Sequence, residues 1–174
     1  MLRLIPAGLH RLAYRLAHAV RIRYWQATGA RLNGVAVVAT DLNDQLLLIR
    51  LSYGSGGWNL PTGGLKRGED KEVAARRELE EETGWRADRV RLLMQGPSSA
   101  GMSNEIIAFA RASGLTRVGP GGGDDSEDII VHEVPRTEAA AWLCQKAAEG
   151  YAIDPKLYAG LYFVDHDPDG TPAA

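Results

Sequence analysis

The stretch from Gly63 to Trp85 limits this chain more than any other. A glycine pair leads into a charged run that ends in Glu78, Glu80, Glu81, Glu82 and then Gly84. The absence of proline and β-branched clustering from Asp70 to Thr83 predicts a helix there. On that helix Glu78, Glu81 and Glu82 stand at i, i+3 and i+4, so three carboxylates share one face. Like charges so placed repel by roughly a few tenths of a kcal/mol per pair. The helix gains nothing from them. A hard divalent cation turns the repulsion into a binding site, because Mg²⁺ and Mn²⁺ prefer carboxylate oxygen and water.

Neighbouring positions agree with that helix. Gly63 and Gly64 permit a close backbone approach in the loop before it. Asp70 suits the N-cap, Glu72 the first turn and Gly84 the C-terminal stop. Ala74, Ala75 and Leu79 supply a packing face. Arg77 stands four residues before Glu81 and is positioned to hold it. Glu80 lies about 200° round the helix from Glu78, so it should face away. An acidic helix lying bare in solvent would show the same charge run, and three glutamates alone do not decide between the two.

The whole pattern resembles the signature of the Nudix hydrolase family: Gly, five residues, Glu, seven residues, Arg-Glu-aliphatic-any-Glu-Glu-any-Gly-apolar. Here the fixed positions are Gly63, Glu69, Arg77, Glu78, Leu79, Glu81, Glu82, Gly84 and Trp85. Many specified residues at fixed spacing make a far stronger signal than a lone glycine motif.

Composition excludes several classes. A 45% apolar and 24% charged chain is that of an ordinary globular domain. A net charge of −2 argues against a nucleic-acid binder. Cys144 is the only cysteine, so no intrachain disulfide forms, which fits a reducing, cytoplasmic setting. Residues 1–40 hold six arginines and no acid. Ile5, Leu9, Leu12, Leu16 and Val20 form one stripe, with Arg11, Arg15 and His18 opposite, so residues 1–30 are expected to hold a basic amphipathic helix. The preferred reading packs that stripe on the domain or a second subunit. A weak membrane-surface contact is the second reading.

Further along, Gly34–Thr40 and Gln45–Leu51 read as two strands around an Asp41–Asp44 turn, with further strands at Val90–Met94, Glu105–Ala112 and Ile129–Val134. Thr137–Glu149 reads as a helix with Ala139, Ala140, Leu143 and Ala147 inward, and Asp154–Phe163 as another, capped by Asp154 with Pro155 first. Residues 165–174 read as a flexible tail. The mixture predicts an α+β fold. The resemblance, which covers roughly residues 33–163, implies an α/β/α sandwich with mixed sheet over a Nudix domain at 31–164.

The resemblance also implies the chemistry: metal-dependent hydrolysis of the pyrophosphate of a nucleoside diphosphate linked to another moiety. It implies Glu78, Glu81 and Glu82 as ligands of Mg²⁺ or Mn²⁺, with Arg77 and Glu69 as supporting groups in a salt bridge. Backbone groups at Gly63 and Gly64 border the substrate. In the ADP-ribose branch the general base comes from a later acidic loop. Here that is Gly123–Asp128, with Glu127 and Asp125 preferred over Asp124 and Asp128. Ser99–Glu105, with Ala100 where that branch has proline, and the run from Ser126 to Arg136 resemble the same branch, and Glu105 joins the substrate-side candidates. ADP-ribose or a nucleoside diphosphate sugar is the leading substrate and a homodimer the expected assembly. Dinucleoside polyphosphates, dinucleotide cofactors and oxidised nucleotides remain alternatives. So does a silent nucleotide-sensing domain, which the intact glutamate set disfavours. Trp58 and Tyr53 could stack on a base, although core packing is the simpler account of Trp58. Trp142 is expected in the core, His132 to be structural, and Cys144 to be buried and inert.

Overall fold

A β-branched run that is buried on both faces belongs in the middle of a sheet. β1 (Asn33–Ala39) is such a strand, with every residue after Asn33 buried. In the computed structural model, which describes residues 33–52, 56–100, 104–123 and 128–173, β1 is flanked on both sides. It pairs antiparallel with β4 (Thr62–Gly64) and parallel with β6 (Ile106–Arg117). β5 (Trp85–Pro97) completes this mixed four-stranded sheet in the order β4-β1-β6-β5. A second, antiparallel sheet holds β2 (Gln45–Leu51) between β3 (Trp58–Asn59) and β7 (Ile129–Pro135).

Alternation along β1 divides the interior in two. Val35, Val37 and Ala39 face one core, shared with Ala74, Ala75 and Leu79 of α1 (Lys71–Thr83). Ala36 and Val38 face the other, shared with Leu143 of α2 (Ala139–Ala148) and Leu157 and Phe163 of α3 (Pro155–Asp165). Helices thus cover both faces of the β layer, giving the mixed-sheet α+β sandwich that was expected. The N-terminal helix expected over 1–30 lies outside the described residues, as do Tyr53, Asp124, Asp125 and Glu127.

Several local expectations change. β5 starts directly after Gly84 and runs to Pro97, well beyond Val90–Met94, because β6 pairs along its whole length across one irregularity at Leu92/Met94. A 3₁₀ turn, Arg136–Glu138, replaces the Thr137 cap, and only Ala139 and Leu143 of α2 are buried. Cys144 is exposed, not buried, since the next position round the helix from Leu143 already faces solvent. Asp154 caps α3 as expected, its side chain accepting from Lys156 N at 2.8 Å.

The segment after α3 does not behave as a free tail. Asp167 N donates to Thr171 O, and Ala173 N to Asp165 O, both at 2.8 Å. Arg111 on β6 bonds Asp167 at 2.7 Å and donates to the carbonyls of Phe163 and His166. One half-buried guanidinium therefore ties the turn to the sheet. No helix among the described residues is long and apolar enough to cross a membrane.

Candidate active site

The site grows from the two ends of α1. Asp70 caps the N-terminus, its carboxylate accepting from Glu72 N at 2.8 Å and Val73 N at 3.3 Å. Gly84 ends the helix in the left-handed region at φ 74° and returns its N–H to Glu80 O. A Cβ at Gly84 would lie 2.2 Å from Gly119 O, and one at Gly121 (φ 67°) would lie 2.4 Å from the Thr83 carbonyl carbon. Helix end and glycine segment therefore interlock backbone to backbone. Val118 N and Gly119 N donate to Gly84 O, Gly122 N to Glu82 O, and Gly123 N to Glu81 O. Carbonyls that a helix end leaves without partners are thus satisfied. The glycine half of the segment expected as an acidic loop is thus a helix cap, a role that composition alone does not signal.

Arg77 organises the acidic face. It grips Glu69 with two bonds, Nε to Oε1 and Nη2 to Oε2, both 2.9 Å. Its Nη1 reaches Glu78 at 2.8 Å and Glu81 at 3.2 Å, and Nη2 reaches Gly64 O at 3.1 Å. The hydrogen bonds from Arg77 draw the Glu69 carboxyl down to about 2, against the opposing effect of burial. The Arg77 guanidinium is correspondingly held further in its charged form, first by Glu69 and then by Glu78 and Glu81, again against burial.

A carboxyl whose pKa falls on folding stabilises the fold above its unfolded value. For Glu69 that contribution is complete above 4.5 and is lost as pH falls towards about 2. Urea midpoints taken between pH 5 and pH 2.5 should therefore fall less steeply for Glu69→Gln than for wild type. Parallel slopes would show that this pair contributes nothing to acid sensitivity.

Glu82 takes a different partner. It is 2% exposed, and its Oε2 accepts from Thr62 N at 2.7 Å. Glu78 is nearly buried and stands against Gly63, where a Cβ would fall 2.0 Å from its Cδ. That approach requires glycine at position 63. Gly64 is less constrained, with nothing within 4 Å of a Cβ there. Glu80 points away and pairs with the exposed Arg86 of β5 at 2.8 Å, as the helix geometry requires.

Among the described residues no three acid, histidine or cysteine side chains already form a cage for an ion. Glu81 is turned to Arg77 and Glu82 to the Thr62 amide. The donor set nevertheless fits a hard dication: three carboxylates at one helix edge, one of them cradled against the Gly63 backbone. Glu81, 49% exposed, has room to turn. A cavity of about 660 Å³ opens between α1 and the glycine segment; Arg77 and Glu81 line it together with Val73, Arg76 and Glu80, whereas Glu78 and Glu82 do not.

Other candidates fall where the register puts them. Glu105 immediately precedes β6, whose first residue pairs with Asn33. Asn33 O in turn accepts from Leu65 N at 2.9 Å, so Glu105 lies at the sheet end where β4 finishes. Asp128 is exposed, and its carbonyl accepts from Ser52 N. Trp58 is removed from the substrate candidates. It is 2% exposed and packs edge-on against His132 and Trp142, each at 4.5 Å between ring centroids, so no base can reach its face. Burial, followed by the charges of Arg50 and Lys146, lowers the pKa of His132, in keeping with a structural role.

Fold and carboxylate face together define a class, and comparison with known proteins names it. Residues 30–159 match the model of the NUDIX domain; the chain belongs to the Nudix family. It is 35% identical over 135 residues to an ADP-ribose pyrophosphatase of Mycobacterium tuberculosis, covering 75% of this chain and 63% of that protein. It is 32% identical over 116 residues to a methanol dehydrogenase activator of Bacillus methanolicus, covering 64% of this chain and 63% of the other. The chain thus spans less than two thirds of the length of both curated relatives. The fold is shared with the crystal structure of an ADP compounds hydrolase, at 21% identity and a TM-score of 0.54, over 70% of this chain and 75% of that one.

Proposed function

We propose that this chain is a pyrophosphohydrolase that splits a nucleoside diphosphate linked to another moiety, with ADP-ribose or a nucleoside diphosphate sugar as substrate. The observation that carries the reading is the arrangement of Glu78, Glu81 and Glu82 on one edge of α1, each with a defined partner in Arg77 or Thr62. Likeness to the mycobacterial ADP-ribose pyrophosphatase supports the substrate class.

Glu78, Glu81 and Glu82 are the proposed ligands of Mg²⁺ or Mn²⁺. When bound, such an ion neutralises diphosphate charge and makes a coordinated water more acidic. The protein's own part is positioning. Arg77 keeps Glu78 and Glu81 from splaying apart, while Glu69 keeps Arg77 in place. Gly63 lets the backbone come close to the carboxylates. The proposed base, Glu127 with Asp125 as second choice, takes the proton of the attacking water. It belongs to a segment entered at Gly123, whose N–H bonds Glu81 O at 3.1 Å, and left at Ile129, whose N–H bonds Gly122 O at 3.2 Å. The residue entering that segment is therefore fastened to the C-terminus of α1, and the residue leaving it to Gly122, a glycine that caps the helix.

Purified protein with Mg²⁺ or Mn²⁺ should release AMP from ADP-ribose, detected by chromatography. Inactivity across a panel of nucleoside diphosphate sugars, dinucleotides and nucleoside triphosphates would overturn the enzyme reading.

A further inference from the structure

Thr62 lies just outside the signature and makes two contacts, one through its backbone and one through its hydroxyl. Its N–H donates to Glu82 Oε2 at 2.7 Å. Its Oγ1 donates to Val35 O at 2.6 Å. The first holds a carboxylate that is 2% exposed, and the second ties the segment to a strand residue that is fully buried. A buried carboxylate needs such a charge-assisted bond to offset its lost hydration.

One backbone bond, Val37 N to Pro61 O at 2.8 Å, already steadies the peptide unit that carries the Thr62 amide, but β4 adds little to it. It is three residues long, sits at the sheet edge, and two of its residues are glycine. Glycine weakens a strand by leaving the backbone free. The pairing of Thr62 with Ala36 is the last rung of the β1–β4 ladder on the side facing Pro61. The side-chain bond to Val35 O adds a fastening at that rung.

We infer that Thr62 is a positioning residue: its hydroxyl clamps β4 to β1 and so fixes the amide that aims Glu82 at the proposed metal site. The inference rests on the reading of Glu82 as a metal ligand. Partners of metal ligands typically contribute 10–100-fold in affinity. Thr62→Val keeps the branched shape and removes only the hydroxyl; Thr62→Ser keeps the hydroxyl.

The test is Mn²⁺ binding without substrate, followed by the electron spin resonance signal of the free ion. Thr62→Val should bind about tenfold more weakly than wild type, and Thr62→Ser within about twofold. In a Glu82→Gln background Thr62→Val should cause no further loss, since neighbouring groups that act through one another are not additive. Circular dichroism checks folding, and Thr62→Ala carries the same comparison if valine misfits. Wild-type-like binding by Thr62→Val overturns the inference, as does equal weakening by Thr62→Ser or an additive loss on Glu82→Gln. Failure of the wild type to bind Mn²⁺ overturns the metal site first and this inference with it.

Discussion

Glu82→Gln should lose at least about two orders of magnitude in kcat on ADP-ribose while melting close to wild type. Glutamine keeps an acceptor oxygen for the Thr62 amide, now 2.7 Å from Glu82 Oε2, so that bond can persist at the buried position. What it removes is the negative charge. Electrostatic stabilisation by a bound metal contributes several kcal/mol to reactions of this kind, and losing about 3 kcal/mol of it slows the reaction about 100-fold. Glu80→Gln is the matched control. Its carboxylate pairs with exposed Arg86 on the far side of the helix, and kcat should stay within about twofold, since exposed pairs contribute less than about 1 kcal/mol. Similar rates for the two variants would remove the carboxylate face from the mechanism. A large fall in melting temperature for Glu82→Gln would assign the residue to stability instead.

The contrast between Glu80 and Glu82 was legible in the sequence because it depends only on helical periodicity. So were Asp70 and Gly84 as helix ends, and the salt bridge between Glu69 and Arg77. These are local, or are carried by a fixed spacing. The role of Thr62 was not legible. It depends on antiparallel pairing of β4 with β1, a contact between residues far apart in sequence. The length of β5 was hidden for a related reason: polar residues such as Arg86, Asp88 and Arg89 do not read as strand, yet β6 pairs alongside them. Alternation on an edge strand says little about where pairing stops. Cys144 was misplaced because a small apolar residue in an apolar helix carries no sign of which side the helix buries. The choice between base stacking and core packing for Trp58 was settled by its buried contacts with His132 and Trp142, not by the motif beside it.

Gly121→Ala should be among the most damaging single-methyl changes in the chain, although it touches no carboxylate. Position 121 sits at φ 67°, where a side chain costs about 1–2 kcal/mol in strain alone. The added carbon would also lie 2.4 Å from the Thr83 carbonyl carbon and 2.7 Å from Glu82 O, and both are backbone atoms that cannot swing aside. A total of about 2–4 kcal/mol is expected, or a fall of about 5–15 °C in Tm for a domain of this size. Gly119→Ala tests whether the site or the mere loss of glycine is responsible. A Cβ there meets nothing within 4 Å, so Tm should move by no more than about 2–4 °C, in either direction. The two variants should also separate in kcat, measured well below either melting temperature. Gly122 and Gly123 bond the carbonyls of Glu82 and Glu81, so displacing Gly121 shifts the root of the acidic segment relative to the helix that carries the carboxylates. Equal Tm values for the two variants would show that the glycine segment does not lock the end of α1. Equal kcat values alongside unequal Tm values would show that the lock serves the fold and leaves the proposed base where it is.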